Sequence, residues 1–515
     1  MVKMRRSIIA AKDLKSGTIP NVINIDANRL GTEVSPDKIS SLICKLMNLF
    51  ENLTNLYTNN LAVISDNNES ISYSKLDEIS HYLKEKLPQR SLIFSLNKNS
   101  LGSFCGYFSF LKNKVVPLML EAKIDGELLE NLISSYKPEY LWLPSEDISK
   151  FPKGEVICSV FDYSLLKIES QNLFKLNEDL ALLLATSGST GSPKLVMLTY
   201  ENIKSNALSI IEYLSIDNNE RPITTLPMSY SFGLSIINSH LYSGATILLT
   251  NRSLFEKEFW ALLKKHKATS LSGVPYTFEM LKKLRFFTME LPSLVTLTQA
   301  GGKMNIELNK EFAEFSLINN KRLFVMYGQT EATARMSYLP HEQSLSKLGS
   351  MGIAIPGGQF SIINESGQTI TESNIVGELV YEGRNVSLGY AECGEELSKL
   401  DENMGVLITG DMAKRDDDGF YYIVGRKKRF VKIFGNRINL DETERLLKNI
   451  VSDCACVGND DQMFIYINDE SRTQEVRNFI SKKTGIHHSA FSIRIIDKIP
   501  KNSSGKTIYS GLILQ

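Results

Sequence analysis

Residues 186–194 read Thr-Ser-Gly-Ser-Thr-Gly-Ser-Pro-Lys and follow an apolar run, Leu180 to Ala185. A short apolar run that ends in such a turn reads as a buried strand feeding an anion-gripping loop. Gly188 and Gly191 let the main chain come close to a phosphate. The hydroxyls of Thr186, Ser187, Ser189 and Thr190 donate hydrogen bonds, and Lys194 adds positive charge. The spacing is not that of the common P-loop, because Ser192 and Pro193 separate Gly191 from Lys194. Taken alone, such a Gly/Ser-rich turn is more often a flexible loop than a phosphate grip.

Three later segments give it company: Tyr327-Gly328-Gln329-Thr330-Glu331, then Thr409-Gly410-Asp411 running into Gly425-Arg426-Lys427-Lys428, then Pro500-Lys501-Asn502-Ser503-Ser504-Gly505-Lys506. Together, and in this order, the four segments resemble the signature of the acyl-adenylating superfamily, which includes acyl-CoA synthetases, amino-acid adenylation domains and firefly-type luciferases. The resemblance covers roughly residues 60 to 510.

The resemblance implies a two-step chemistry. A carboxylate attacks the α-phosphate of ATP, and the acyl group then passes from AMP to a thiol. An anion meeting an anion calls for charge neutralisation and in-line geometry more than for proton transfer. By resemblance, Thr186 to Lys194 hold the β- and γ-phosphates, with Thr190 among the catalytic groups. Tyr327 stacks on adenine beside Gly328, Thr330 meets the α-phosphate, and Glu331 binds Mg²⁺, a hard cation that takes oxygen ligands. Gly301 and Gly302, in the turn Gln299-Ala300-Gly301-Gly302-Lys303, let the base lie close to backbone. Asp411 binds both ribose hydroxyls, and Arg426 makes the second ribose or phosphate contact.

The resemblance further implies that Lys506 is the catalytic lysine, entering from a mobile lid, and that Lys428 is the hinge. By the same resemblance, Lys432 and Gly435 line a tunnel for a phosphopantetheine thiol. Tyr230, Ser231, Gly233 and Gln299 belong to the acid pocket, with 230–238, 274–278 and 299–303 as its wider lining.

Some positions depart from the family pattern. Ser229-Tyr230 stands where many acyl-CoA synthetases have an aromatic-His pair. No carboxylate occurs from Leu226 to Gly233, so an α-ammonium would lack a partner there and an amino-acid substrate is disfavoured. Arg429 replaces an Asp common after the hinge, and Asn439 sits where Glu is frequent. The cofactors expected are ATP and Mg²⁺. The acceptor is CoA, or alternatively the phosphopantetheine arm of an acyl carrier protein. The rival of another class is a nucleotide-binding protein that has lost its chemistry.

These groups need a scaffold. The first half alternates strand-like runs, at Leu61–Ile64, Ser70–Tyr73, Leu92–Leu96, Val115–Leu120 and Tyr140–Leu143, with helical stretches, which implies a mostly parallel sheet covered by helices. Ser35-Pro36 opens a helix bearing Ile39, Leu42, Ile43, Leu46 and Phe50. Ser74 with Asp77 caps another, bearing Leu76, Ile79, Leu83 and Leu87. The second half is more β-like, with Gln359–Ile363, Gly377–Tyr381 and a hairpin turn at Asp416–Gly419.

The fold expected is α/β. A large N-terminal domain of helix-covered sheets with a β-barrel-like part spans 1–426, and a small α+β lid spans 427–515. A chain of 515 residues exceeds one hydrophobic core. Its 58 basic and 58 acidic side chains cancel, which argues against nucleic acid as a partner. No apolar run is long enough to span a membrane. Six scattered cysteines show no metal or redox spacing and read as reduced thiols of a cytoplasmic protein.

Overall fold

The computed structural model describes residues 9–10, 25–26, 50, 53–169, 174–185, 194–433, 436–459, 462–484, 486–501, 507–509 and 512. The chain forms two compact units, 1–51 and 52–515. In the first, Ile9–Ala10 pairs antiparallel with Ile25–Asp26. The helix expected from Ser35-Pro36 lies outside the described residues, except Phe50, and so does Cys44.

The second unit is built on two large mixed sheets. The first runs, edge to edge, through Gly389–Ala391, Leu195–Thr199, Leu180–Ala185, Val116–Glu121, Leu92–Asn97, Tyr140–Pro144, Tyr163–Lys167 and Glu155–Val160. Its central four strands are parallel. Leu92–Asn97 is buried at all six positions, as a parallel strand covered on both faces must be. The helix Leu101–Lys112 covers it and buries eleven of its twelve residues. The second sheet has a parallel run of Leu61–Ser65, Ile247–Leu249, Pro222–Ile223, Ser270–Gly273, Thr296–Gln299 and Arg322–Tyr327. Antiparallel strands flank both sheets, so neither is purely parallel: hairpins add several of the outer strands, and the edge strand Gly389–Ala391 comes from far along the chain.

A four-stranded antiparallel sheet follows, from Gly358–Ile363, Gly377–Gly383, Val406–Arg415 and Tyr421–Arg426, with Asp416–Gly419 turning its last hairpin. Beyond it lie the hairpin Phe430–Ile433/Asn436–Asn439, the helices Leu440–Leu447 and Thr473–Thr484, and a three-stranded sheet. These last elements share their own apolar cluster, from Val431 through Cys456 and Ile465 to Phe491.

The helix Tyr73–Lys84 is capped by Ser72, whose side chain accepts from Lys75 N. Ser74 is already inside the helix and hydrogen-bonds to Ser72 Oγ. The five described cysteines are all free. Among the described residues no helix is long and apolar enough to cross a membrane.

Candidate nucleotide and acid site

A small cleft opens where strands of the second sheet end. Thr296–Gln299 and Arg322–Tyr327 run side by side and release the turns Ala300-Gly301-Gly302 and Gly328-Gln329-Thr330 at the same edge. Open α/β sheets bind ligands at such carboxyl ends. Tyr230, Ser231 and Phe232, which open the helix Ser231–Tyr242, form the opposite wall. Ser231 Oγ and Thr330 Oγ1 meet at 3.1 Å.

Two glycines are fixed by geometry. Gly301 has φ +82°, and a Cβ there would stand 2.8 Å from Tyr230 Oη. A Cβ on Gly328 would fall 1.7 Å from the Ala334 carbonyl oxygen. Gly233 serves packing, since its Cβ would stand 2.3 Å from the Pro227 carbonyl oxygen. Burial pushes the Tyr230 hydroxyl up to about 12, so at neutral pH it keeps its proton.

Asp411 anchors a second group of side chains. It lies on Val406–Arg415, directly across from Arg426. Its Oδ2 accepts from Tyr327 Oη at 2.5 Å and from Gln329 Nε2 at 2.8 Å. Gln329 Nε2 also donates to the Thr409 carbonyl at 2.9 Å. Arg426 Nε lies 3.6 Å from Oδ1. Asp411 is 6% exposed. Burial raises its carboxyl above the ordinary aspartate range, against the opposing pull of the Tyr327 hydroxyl and Arg426. Tyr327 is pushed up in turn, first by burial and then by the Asp411 charge. A carboxylate has about four lone-pair sites. Two are taken at Oδ2, which leaves Oδ1 as the oxygen able to accept from a diol. Tyr327 is half-buried and packs against the apolar cluster that includes Met336 and Tyr421.

The third group joins Glu331, Tyr390 and Lys194. Leu195–Thr199 pairs antiparallel with Gly389–Ala391, so Lys194 and Glu392 flank the same end of the ladder. Lys194 Nζ contacts Glu392 Oε1 at 2.5 Å and lies 5.8 Å from the Tyr390 ring centroid. Tyr390 Oη donates to Glu331 Oε1 at 2.6 Å. Glu331 therefore has one oxygen oriented by a phenol and Oε2 left for a cation. Among the described residues no group of three or more His, Cys, Asp or Glu is placed so that it could hold a metal ion. Mg²⁺ needs no such cage, because it takes one or two carboxylates together with phosphates and water. The donor set fits Mg²⁺ carried in with a nucleotide.

Thr186, Ser187, Gly188, Ser189, Thr190, Gly191, Gly435 and Lys506 lie outside the described residues. The bases of that first loop are described: Ala185 and Leu195 pair directly across. Lys501 and Thr507, which flank the Lys506 segment, form an antiparallel bridge. Lys428 falls in the turn Lys427–Arg429, and the Lys432 main chain lies in Phe430–Ile433. Gln299 is buried and props the turn below the cleft, donating from Nε2 to the Gly302 carbonyl at 2.8 Å. Gly302 packs against Pro275.

Three residues of the site had no role in the sequence reading. Gln329 sits inside a quoted motif, but an amide says nothing of its partner until the strands are placed. Tyr390 is almost 60 residues from Glu331 in sequence. Arg335 is a lone arginine in an otherwise small and apolar stretch, Ala332-Thr333-Ala334-Arg335-Met336, and that isolation was its only signal. Arg429, read as a departure near the hinge, is largely enclosed in the C-terminal part. It donates to Asp441 Oδ1 at 2.8 Å, Glu444 Oε1 at 2.5 Å and the Cys456 carbonyl at 2.7 Å, and its Cζ lies 3.8 Å from the Tyr509 ring centroid.

Comparison with known proteins agrees with this geometry. The family model described as AMP-binding enzyme matches residues 50–391. The chain belongs to the AMP-binding enzyme family, which bears out the resemblance to acyl-adenylating proteins. Among curated relatives, the probable CoA ligase CCL5 of Humulus lupulus is 29% identical over 65% of this chain, and the match spans 63% of that relative's own length. A 2-succinylbenzoate–CoA ligase of Bacillus licheniformis is 29% identical over 66% of this chain and 70% of its own. The fold is that of the O-succinylbenzoate coenzyme A synthetase from Bacillus subtilis solved with AMP, with TM-score 0.75 and 21% identity over 90% of this chain and 98% of that one. ATP-bound MatB from Rhodopseudomonas palustris superposes with TM-score 0.74 at 20% identity over 90% of this chain and 98% of that one.

Proposed function

We propose that this protein is an AMP-forming acid–thiol ligase. In the first step a carboxylate oxygen attacks the α-phosphorus of ATP, the bond to pyrophosphate breaks, and an acyl adenylate forms. In the second a thiol sulfur attacks the acyl carbon, the bond to the AMP oxygen breaks, and a thioester leaves with AMP.

One observation supports the reading most strongly: Tyr327, Gln329 and Arg426 converge on buried Asp411 beside a glycine-lined cleft. That arrangement suits a ribose whose hydroxyls donate to Oδ1, with the base against the Gly301 turn. Thr186 to Gly191 and Lys194 would grip the outer phosphates, and Thr330 the α-phosphate. Glu331 would hold Mg²⁺, which supplies charge neutralisation at the phosphates. Lys506 would neutralise the pentavalent phosphorus from a lid spanning 427–515, turning at Lys428. The separate apolar cluster from Val431 to Phe491 supports that division. After rotation Lys432 and Gly435 would line the thiol's path. CoA is the acceptor we favour, because the curated relatives quoted above carry CoA ligase names.

The test is pyrophosphate release from ATP across a panel of carboxylic acids. Acid-dependent release should fall about 10²–10³-fold in Lys506→Ala, the scale for removing a group that stabilises developing charge. Adding CoA or a phosphopantetheinylated carrier protein then identifies the acceptor. ATP binding with no release for any acid would leave a nucleotide-binding protein without chemistry.

A further inference from the structure

Arg335 is 1% exposed, and the ligase chemistry has no use for it. Its neighbour Ala334 lines the cleft, as does Phe232, and the Arg335 Cζ lies 5.1 Å from the Phe232 ring centroid. Nε donates to Ser235 Oγ at 3.1 Å, and Nη1 donates to Tyr213 Oη at 3.0 Å and faces Met326 Sδ at 3.5 Å. Among the described residues no carboxylate comes within ion-pair distance, and Nη2 has no acceptor. The remaining surroundings are apolar or neutral. Phe232, Val274, Ala300 and Met326 form one cluster behind the cleft. Burial holds the His240 imidazole down to about 4, so it is neutral at physiological pH.

A guanidinium cannot shed its charge. Arginine is almost never fully buried unless paired, because an isolated buried ion carries a heavy desolvation penalty. Two neutral acceptors and one aromatic face offset part of that penalty. What they leave open is Nη2, a charged donor that can bind a carboxylate oxygen through a charge-assisted hydrogen bond.

We propose that Arg335 is the counter-ion for a second carboxylate on the acid substrate, so that the enzyme activates one carboxyl of a dicarboxylic acid while Arg335 holds the other. The proposal rests on the ligase reading and narrows its substrate class. The reacting carboxylate lies at the Thr330 end of the cleft, and the distal one reaches past Phe232 to the guanidinium. The same charge repels an α-ammonium, in keeping with the lack of any carboxylate from Leu226 to Gly233.

The experiment compares each dicarboxylic acid of a length series with its own mono-methyl ester, by pyrophosphate release from the full chain. The wild type should favour the diacid by about 10–100-fold in kcat/KM, the range for a hydrogen-bonded charge. Arg335→Met should bring that ratio close to one with ATP affinity unchanged, and Arg335→Lys should keep part of it. A wild type indifferent to the second carboxylate at every length overturns the proposal. So does an Arg335→Met enzyme that keeps the full ratio. If Arg335→Met does not fold, the wild-type ratio and Arg335→Lys decide.

If no acid releases pyrophosphate, the ligase reading fails first. Thermal shift of the full chain by the same diacids and esters then tests Arg335 alone. A diacid-specific shift that Arg335→Lys weakens upholds the anion site, and no shift overturns it.

Discussion

Tyr327→Phe removes one oxygen and leaves the ring's packing in place. The oxygen lost is the one that donates to Asp411 Oδ2 at 2.5 Å. A hydrogen bond to a charged group contributes about 1.5–3 kcal/mol, equivalent to about 10–150-fold in a dissociation constant. Gln329 still holds the same oxygen at 2.8 Å, so the loss should fall at the low end, about tenfold in ATP affinity by calorimetry. The pH dependence gives a sharper readout. Burial already raises the Asp411 carboxyl above the ordinary aspartate value, and the Tyr327 hydroxyl pulls the other way. Without that donor the carboxyl rises further, so ATP binding should be lost at a higher pH on acidification than in the wild type. Asp411→Asn is the control. Because the folded value of Asp411 lies above the unfolded one, ionising it in the fold lowers stability at neutral pH, and that cost vanishes below the ordinary aspartate range. The asparagine variant should therefore melt at or above the wild-type temperature at neutral pH, yet bind no ATP. A Tyr327→Phe protein with unchanged affinity and an unchanged acid midpoint would refute the assignment of Asp411 to the nucleotide.

Three other substitutions test the rest of the site. Tyr390→Phe frees Glu331 Oε1 from its donor and should raise the Mg²⁺ concentration needed for half-maximal pyrophosphate release by about 2–10-fold, with Mn²⁺ binding to the ATP complex, followed by electron paramagnetic resonance, weakened alongside. Gly328→Ala drives a Cβ into the Ala334 carbonyl and should cost about 1–3 kcal/mol of stability, with ATP affinity lost more steeply than acid affinity, as calorimetry against each would show. Arg429→Ala leaves Asp441 and Glu444 facing each other without their cation and should destabilise the C-terminal part by about 3–5 kcal/mol, read as faster amide exchange in 430–512 than elsewhere.

The elements that carry the site were largely legible in the sequence, because buried strands are short apolar runs and turns carry glycine or aspartate. Leu92–Asn97, Val116–Glu121, Tyr140–Pro144 and Gly358–Ile363 stand within a residue or two of where their apolar runs place them. The sheet type was less legible, since an apolar run looks the same beside a parallel or an antiparallel neighbour. Asp411 could be picked out by its motif. Its partners could not, because Tyr327 and Asp411 are 84 residues apart and only the packing of two sheets brings them together. Arg335 and Arg429 show the limit most plainly. A sequence presents both as ordinary cations, and only the folded surroundings separate the one held by two carboxylates from the one held by none.

The pairing of Leu195–Thr199 with Gly389–Ala391 joins stretches about 200 residues apart in the chain. During synthesis Leu195–Thr199 emerges long before its outer neighbour exists. At a translation rate of roughly 5–20 residues per second, its outer edge stays unpaired for about 10–40 s. That edge belongs to a fully buried apolar strand, Leu-Val-Met-Leu-Thr, of the kind that recruits strands from other chains. The ribosome-bound half-protein is thus the form of this molecule most exposed to aggregation. The ladder that aligns Lys194 with Tyr390 and Glu331 is also what ends that exposure.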